Sequence, residues 1–218
     1  MCGRFSIIDD IDQICQRFNC PTVAFDYWPR YNVAPTQEVP VVMQGQNRRE
    51  LKPMRWGLIP YWTGEGKKGK PLINARVESI GEKPSFKNSF RHRRCIIPCN
   101  GYFEWQKEPG GKLPYRIMQQ GVELFGLAGL WDQWMDATGQ EILSFAIITT
   151  EAAEAVRAIH QRMPYILSRE QEKMWLEGTG NHDLLSLMQP VQDLASYRVS
   201  TLVNSPKNDT PAIIEKIQ

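Results

Sequence analysis

Ile11, Ile14, Cys15 and Phe18 recur at the spacing of one helix face, and Asp9 or Asp10 just before them offers an N-cap. The pattern predicts a short helix that ends before Pro21. After an aromatic, proline-broken segment from Phe25 to Pro35, the runs Glu38–Gln44 and Arg49–Trp56 read as strands flanking Gly45-Gln46-Asn47, which predicts a hairpin. A loop rich in Gly and Lys follows over residues 63–71. Further strands are predicted over Arg94–Ile97, Tyr102–Lys107, Leu113–Met118, Glu123–Leu130 and Leu143–Thr149, separated by turn signals such as Pro109-Gly110-Gly111. Thr150 is placed to cap a helix with Glu151 and Glu154 near its positive end, and Ser168 with Gln171 makes a capping box for another. Strands joined mostly by short turns, with helices clustered near the end, predict an α+β fold rather than a parallel doubly wound one. The expectation is a single domain over residues 1–218, built on antiparallel, barrel-like sheet with a few peripheral helices.

Composition narrows the functional classes. With 218 residues, 42% of them hydrophobic, the chain can bury a full core. A net charge of +2 is far from the balance that announces a nucleic-acid protein, so any such contact must rest on a local patch. Met1-Cys2-Gly3-Arg4-Phe5 leads into Asp9, Asp10 and Asp12 rather than an apolar stretch, so no signal peptide is expected. No run approaches the roughly 20 apolar residues of a membrane span. Five cysteines, an odd number, favour reduced thiols in a cytoplasmic protein over a disulfide framework. A monomer with no cofactor is expected.

Cys2 carries the most distinctive chemistry. A small residue at position 2 generally permits removal of the initiator Met, which here leaves a free 1,2-aminothiol. The α-amine titrates at about 7.7–8 and the thiol at about 8.5, so both nucleophiles are available together. The amine forms an imine with an aldehyde, and the neighbouring sulfur closes it to a five-membered thiazolidine. Position alone favours an ordinary small residue beside the start codon.

Context comes from motifs in order along the chain: Met1-Cys2-Gly3-Arg4-Phe5, Arg30-Tyr31-Asn32-Val33-Ala34-Pro35, Trp56-Gly57-Leu58-Ile59-Pro60, Ile73-Asn74-Ala75-Arg76-Val77-Glu78, Arg94-Cys95-Ile96-Ile97-Pro98, Gly101-Tyr102-Phe103-Glu104-Trp105 and Ile159-His160-Gln161-Arg162-Met163-Pro164. Together they resemble the SOS response-associated peptidase family of abasic-site processing proteins, and the likeness extends to Val199–Asn208. The resemblance implies that Cys2 is a covalent nucleophile with Asn74, Glu104 and His160 around it. It also implies an arginine-rich groove for DNA and self-removal of Met1; a single strand suits a nucleophile recessed at the chain terminus better than a duplex, because the lesion reaches it without the cost of unstacking. Asn100, where the family commonly has Asp, and Cys99, where a small nonthiol residue is usual, depart from the pattern.

The residues themselves support this in part. Asn74 and Arg76 share one strand face, although a turn Asn and a surface Arg would look the same. Glu104, between Phe103 and Trp105, projects opposite to those rings on the face of Tyr102, where it suits proton transfer; a solvent-facing strand Glu is the commoner case. His160 follows the helix expected from Thr150, where it either caps the last carbonyls or protonates the ring oxygen of a closed abasic sugar. Arg4, Arg76 and Arg162 are candidate phosphate contacts, and Trp62, beside Lys67, Lys68 and Lys70, offers a stacking surface for bases.

Three rival classes remain. Cys15 with Cys20 and Cys95 with Cys99 fall within zinc-ligand gaps, but their apolar surroundings favour core thiols and no metal is expected. An amide hydrolase using its N-terminal Cys2 on an external substrate shares the nucleophile. A noncovalent single-strand-binding protein leaves the thiol without a role.

Overall fold

The computed structural model describes residues 2–23, 25–64, 71–178, 182–187 and 189–217. Strand β1 (Phe5–Ile7) precedes helix α1 (Ile11–Phe18), which starts at an Asp10–Gln13 capping box and stops at Asn19 in the left-handed conformation. Its buried face is Ile14, Cys15 and Phe18. Strand β2 (Arg30–Val33) lies inside the proline-broken segment. The predicted hairpin is β3 (Glu38–Gln44) with β4 (Arg49–Trp56), in register from Glu38 opposite Arg55 to Gln44 opposite Arg49. Short β5 (Asn74–Arg76) is followed by α2 (Pro84–His92), a helix absent from the sequence-based expectation.

The central strands are β6 (Arg94–Cys99), β7 (Gly101–Glu108), β8 (Gly111–Gln119), β9 (Phe125–Met135) and β10 (Glu141–Glu151). They enclose four of the five predicted runs; β9 starts at Phe125, two residues after the expected Glu123, and runs on to Met135. Beyond them come α3 (Glu154–Arg157), β11 (Arg162–Pro164), β12 (Ile166–Leu167), α4 (Arg169–Glu177), α5 (His182–Leu187) and β13 (Leu194–Arg198). The Ser168–Gln171 capping box forms at α4. Thr150 caps nothing: it pairs with Met163 while Thr149 and Glu151 pair with Pro164 and Arg162, so the strand ladder overrides the cap and α3 starts after Ala153.

Two sheets result. One has the order β13-β8-β7-β1-β2. In the other, β10 pairs β4, β4 pairs β3, β3 pairs β6, β6 pairs β9 and β9 returns to β10, which closes a barrel with no free edge among those strands. The ladders are antiparallel except where β10 meets β4 and β5 in parallel. The α+β architecture is thus as expected, with helices at both the start and the end of the chain. No helix of the described residues is long and apolar enough to cross a membrane.

The main core fills the barrel and the space under α1, α2 and α4, and includes Phe5, Phe18, Trp56, Phe145 and Trp175. A second cluster of Phe103, Val199, Val203 and Ile213 lies where the C-terminal segment covers the outer face of β7. This segment is tied down by Asn32, fully buried, whose Nδ2 donates to the carbonyls of Val203, Ser205 and Asn208. Asp209 completes the latch by accepting from Arg30 and from the backbone N–H groups of Tyr31 and Asn32. β7 therefore has the barrel side on one face and the chain's end on the other.

Candidate functional site

β1 runs between β7 and β2, with Phe5 opposite Tyr102 and the Phe103 N–H donating to the Arg4 carbonyl at 2.9 Å. Just ahead of β1, Cys2 turns inward and is fully buried, its Sγ 3.8 Å from the same Arg4 carbonyl. Asn74 holds it from the other side: Nδ2 donates to the Cys2 carbonyl at 2.8 Å. β5 brings Asn74 there by pairing in parallel with β10, Asn74 beside Ile147. Trp56 Nε1 fixes the approach by donating to the Ile73 carbonyl at 2.9 Å. Gly57 permits it, because its φ is +128° and a Cβ there would meet Pro71 Cβ at 2.7 Å. The Oδ1 of Asn74 is buried and accepts no hydrogen bond from the described residues.

The strand period of two sorts β7 as the alternation predicts. Phe103 packs in the C-terminal cluster with Trp105 against it, whereas Tyr102 and Glu104 are buried on the Cys2 side. Burial, followed by the charges of Glu104 and Cys99, pushes the Cys2 thiol well above the ordinary thiol range. Burial, then Cys2, Glu104 and Cys99, does the same to the Tyr102 hydroxyl. Tyr102 Oη has no hydrogen-bond partner among the described residues. The resting sulfur is accordingly a neutral thiol, and a base must take its proton before it acts as a nucleophile.

His160 follows α3 and is fixed by the turn into β11. Its Nδ1 accepts from the Arg162 N–H at 2.9 Å and lies 3.1 Å from the Arg162 carbonyl. A neutral ring anchored by that N–H carries its proton on Nε2, and an imidazolium keeps an anchor by donating from Nδ1 to the carbonyl. The ring thus gains or loses a proton without losing its place. Its Nδ1 is spent on Arg162 rather than on the carbonyls that end α3, which was the plainer of the two expectations. Glu104 and His160 line one cavity of about 440 Å³ with Trp105, Lys107, Lys112 and Asn204.

The candidate phosphate ligands differ in their freedom. Arg4 donates from Nη1 to Asn32 Oδ1 and the Val203 carbonyl at 3.0 and 2.7 Å, and from Nη2 to the Asn204 carbonyl at 3.2 Å. Arg162 forks onto Glu78 at 2.6 and 3.0 Å and donates to the Thr149 carbonyl at 2.7 Å. Burial works against ionised Glu78, but the Arg162 hydrogen bonds, a backbone hydrogen bond and the charges of Arg162 and Arg76 together outweigh it and hold that carboxyl below its usual range. Arg76 is exposed and makes no hydrogen bond or ion pair among the described residues. Trp62 is 56% exposed beside Tyr61, whose ring lies 5.9 Å from the Arg93 guanidinium. Lys67, Lys68 and Lys70 lie outside the described residues.

The remaining cysteines belong to the core. Cys95 and Cys99 are fully buried on β6, and Cys15 points its Sγ at the Pro21 carbonyl, 3.4 Å away. No group of three His, Cys, Asp or Glu among the described residues is arranged to hold a metal ion. Asn100 has its own rationale: its Nδ2 donates to Asp9 and to the Glu123 carbonyl, and its Oδ1 accepts from the Ile8 N–H at 2.7 Å. An Asp there would face the Asp9 carboxylate without a donor.

Sequence reasoning missed Thr149, Lys107, Lys112 and the Trp105–Asn204 contact, and named Tyr102 only as a neighbour of Glu104. The register of β7 on β8 and of β5 on β10, which brings these residues to the site, is not written in any one segment.

A buried cysteine just ahead of β1, an Asn holding its carbonyl, and a Glu and His in the cavity beside it define a site around the chain's second residue. The chain belongs to the SOS response associated peptidase (SRAP) family, whose sequence profile matches residues 1–206. It is 42% identical to the abasic site processing protein YoqW of Bacillus subtilis (strain 168), over 99% of both chains. It is 32% identical to the abasic site processing protein HMCES of Xenopus tropicalis, over 88% of this chain and 67% of that one. A crystal structure of a protein from Bacteroides thetaiotaomicron, 30% identical, superposes over 100% of both chains with a TM-score of 0.86.

Proposed function

We propose that this chain captures abasic sites in single-stranded DNA by forming a thiazolidine between Cys2 and the C1 aldehyde of the lesion sugar. The observation that carries the reading is the fixed placement of Cys2, held by Asn74 at 2.8 Å and buried within the electrostatic reach of Glu104. The names of its relatives, abasic site processing proteins, point to the same substrate.

Hydrolysis of the Met1–Cys2 bond consumes one water and frees the α-amine; the proposal assigns this step to the chain itself. The orphan Oδ1 of Asn74 is an acceptor suited to orienting that amine. His160 protonates the ring oxygen of the closed sugar while the C1 hydroxyl gives up its proton, which restores the imidazolium through water, and the aldehyde is released. The amine adds to C1, and loss of water leaves an imine. Glu104 takes the thiol proton as sulfur attacks C1 and returns it to the imine nitrogen, so one water is lost over capture and no charge accumulates. Tyr102 Oη, buried and without another partner among the described residues, is a donor suited to the sulfur as its proton leaves. A single strand suits a recessed nucleophile, because the lesion reaches it without the cost of unstacking.

Cys2→Ala separates the two bonds. After Met1 removal the variant retains its amine, so borohydride should trap an imine with an oligonucleotide carrying one abasic site, while little stable adduct should form without reductant. Left unreduced, the imine should instead favour β-elimination and strand nicking, which the wild type suppresses by ring closure. A heat-stable adduct without reductant, equal in yield to wild type, excludes any role for the sulfur.

A further inference from the structure

The cavity has two kinds of wall. Glu104 and His160 supply the chemistry; Trp105, Asn204, Lys107 and Lys112 form the rest of its described lining. Trp105 Nε1 donates to Asn204 Oδ1 at 2.7 Å, which fixes the C-terminal segment against β7. Two residues further along β7, Lys107 stands directly opposite Lys112 of β8. Both lysines are exposed, and neither has a carboxylate within ion-pair distance among the described residues. Like charges placed directly opposite each other on adjacent strands oppose folding. Such a pair at the mouth of a cavity is relieved by an anion between the two ammonium groups.

We infer that Lys107 and Lys112 form a clamp for one of the two phosphodiesters that flank the lesion sugar. The inference rests on the proposed capture of abasic DNA, and the placement of the other cations strengthens it. Arg4 is spent on the carbonyls of Val203 and Asn204, and Arg162 on Glu78 and Thr149. That leaves Arg76, on β5, as the open arginine among the three candidates, while the lysine pair stands on β7 and β8. Gripping one neighbouring phosphate orients the sugar, so the clamp sets the polarity with which the strand crosses the site.

The test uses the full chain with single-stranded oligonucleotides carrying an abasic site. The double variant Lys107→Gln/Lys112→Gln should reduce the slope of log affinity against log salt by about 0.7, the value of one phosphate contact on single strands. It should raise the half-saturating DNA concentration for crosslinking while keeping the same or a slightly higher thermal midpoint. A control double variant, Lys87→Gln/Lys173→Gln, removes the same charge from α2 and α4, which pack on barrel strands rather than on β7 or β8. It should leave the slope unchanged. With oligonucleotides that carry the lesion at the 5′ or the 3′ terminus, and so lack one flanking phosphate, the effect of the lysine variant should vanish for one polarity. An unchanged slope, an equal effect in the control pair, or a full effect with both terminal substrates overturns the clamp. Absence of crosslinking by the wild type defeats the proposed function itself, which is a separate outcome.

Discussion

Tyr102→Phe removes a single oxygen from the interior, and its two consequences should have opposite signs. The side chain is fully buried, and its hydroxyl has no partner among the described residues. A buried hydroxyl left unsatisfied costs about 1–3 kcal/mol relative to one that keeps its hydrogen bonds, and Phe removes that cost while filling nearly the same volume. The void left by one oxygen offsets part of the gain. The expected result is a variant equal to wild type or more stable by about 1–2 kcal/mol, with the thermal midpoint rising roughly 2–4 °C per kcal/mol for a chain of this size. Ring closure should slow, because the sulfur loses its donor, whereas borohydride trapping of the imine should proceed as in wild type. The assay is a pair of time courses on one abasic oligonucleotide, with and without reductant, beside a thermal melt. A melt lowered by more than about 1 kcal/mol means that the hydroxyl is satisfied in the folded state and refutes the reasoning from an orphan group. Unchanged closure kinetics removes Tyr102 from the chemistry.

Three further outcomes follow from the arginines and from the buried thiols and phenol. Arg76→Gln should leave stability unchanged and reduce the salt slope of single-strand binding by about 0.7, whereas Arg162→Gln should cost about 1–2 kcal/mol in a urea titration, discounted because Glu78 is half exposed. Burial pushes the Cys99 and Tyr165 groups up to about 12, and Cys2 and Cys95 well above the ordinary thiol range. Groups raised on folding stabilise the native state fully below their unfolded values, and that stability is lost as pH climbs toward the folded ones. The urea midpoint should therefore hold through neutral pH and fall steadily above about pH 8.5; a midpoint that rises from pH 8.5 to 10.5 contradicts the burial of these groups.

Where short-range physics decides, the sequence was readable. The α1 capping box needs only Asp10 and Gln13, and the face of Glu104 needs only the alternation of β7. Elements decided at long range were not. β1 and β2 span few residues and exist because β7 and the Asp209 latch hold them, and α2 lacks a side-chain cap. Thr150 carries a cap signal that the β10–β11 ladder overrides. In the site, Cys2, Asn74, Glu104 and His160 were legible as residue types, but the fork of Arg162 on Glu78 joins residues 84 positions apart. The opposition of Lys107 and Lys112 depends on where the β7–β8 turn sets the register.

The buried Asn32 and the Arg4 guanidinium tie the first strands of the chain to carbonyls between Val203 and Asn208. On a ribosome, those carbonyls are synthesised after every strand of the barrel. A nascent chain can expose its amino terminus early, yet Trp105 then lacks Asn204, Arg4 lacks the Val203 and Asn204 carbonyls, and the cavity lacks a wall. The cavity beside Cys2 is thus completed last in translation, and a chain abandoned midway carries Cys2 without the wall that Asn204 supplies.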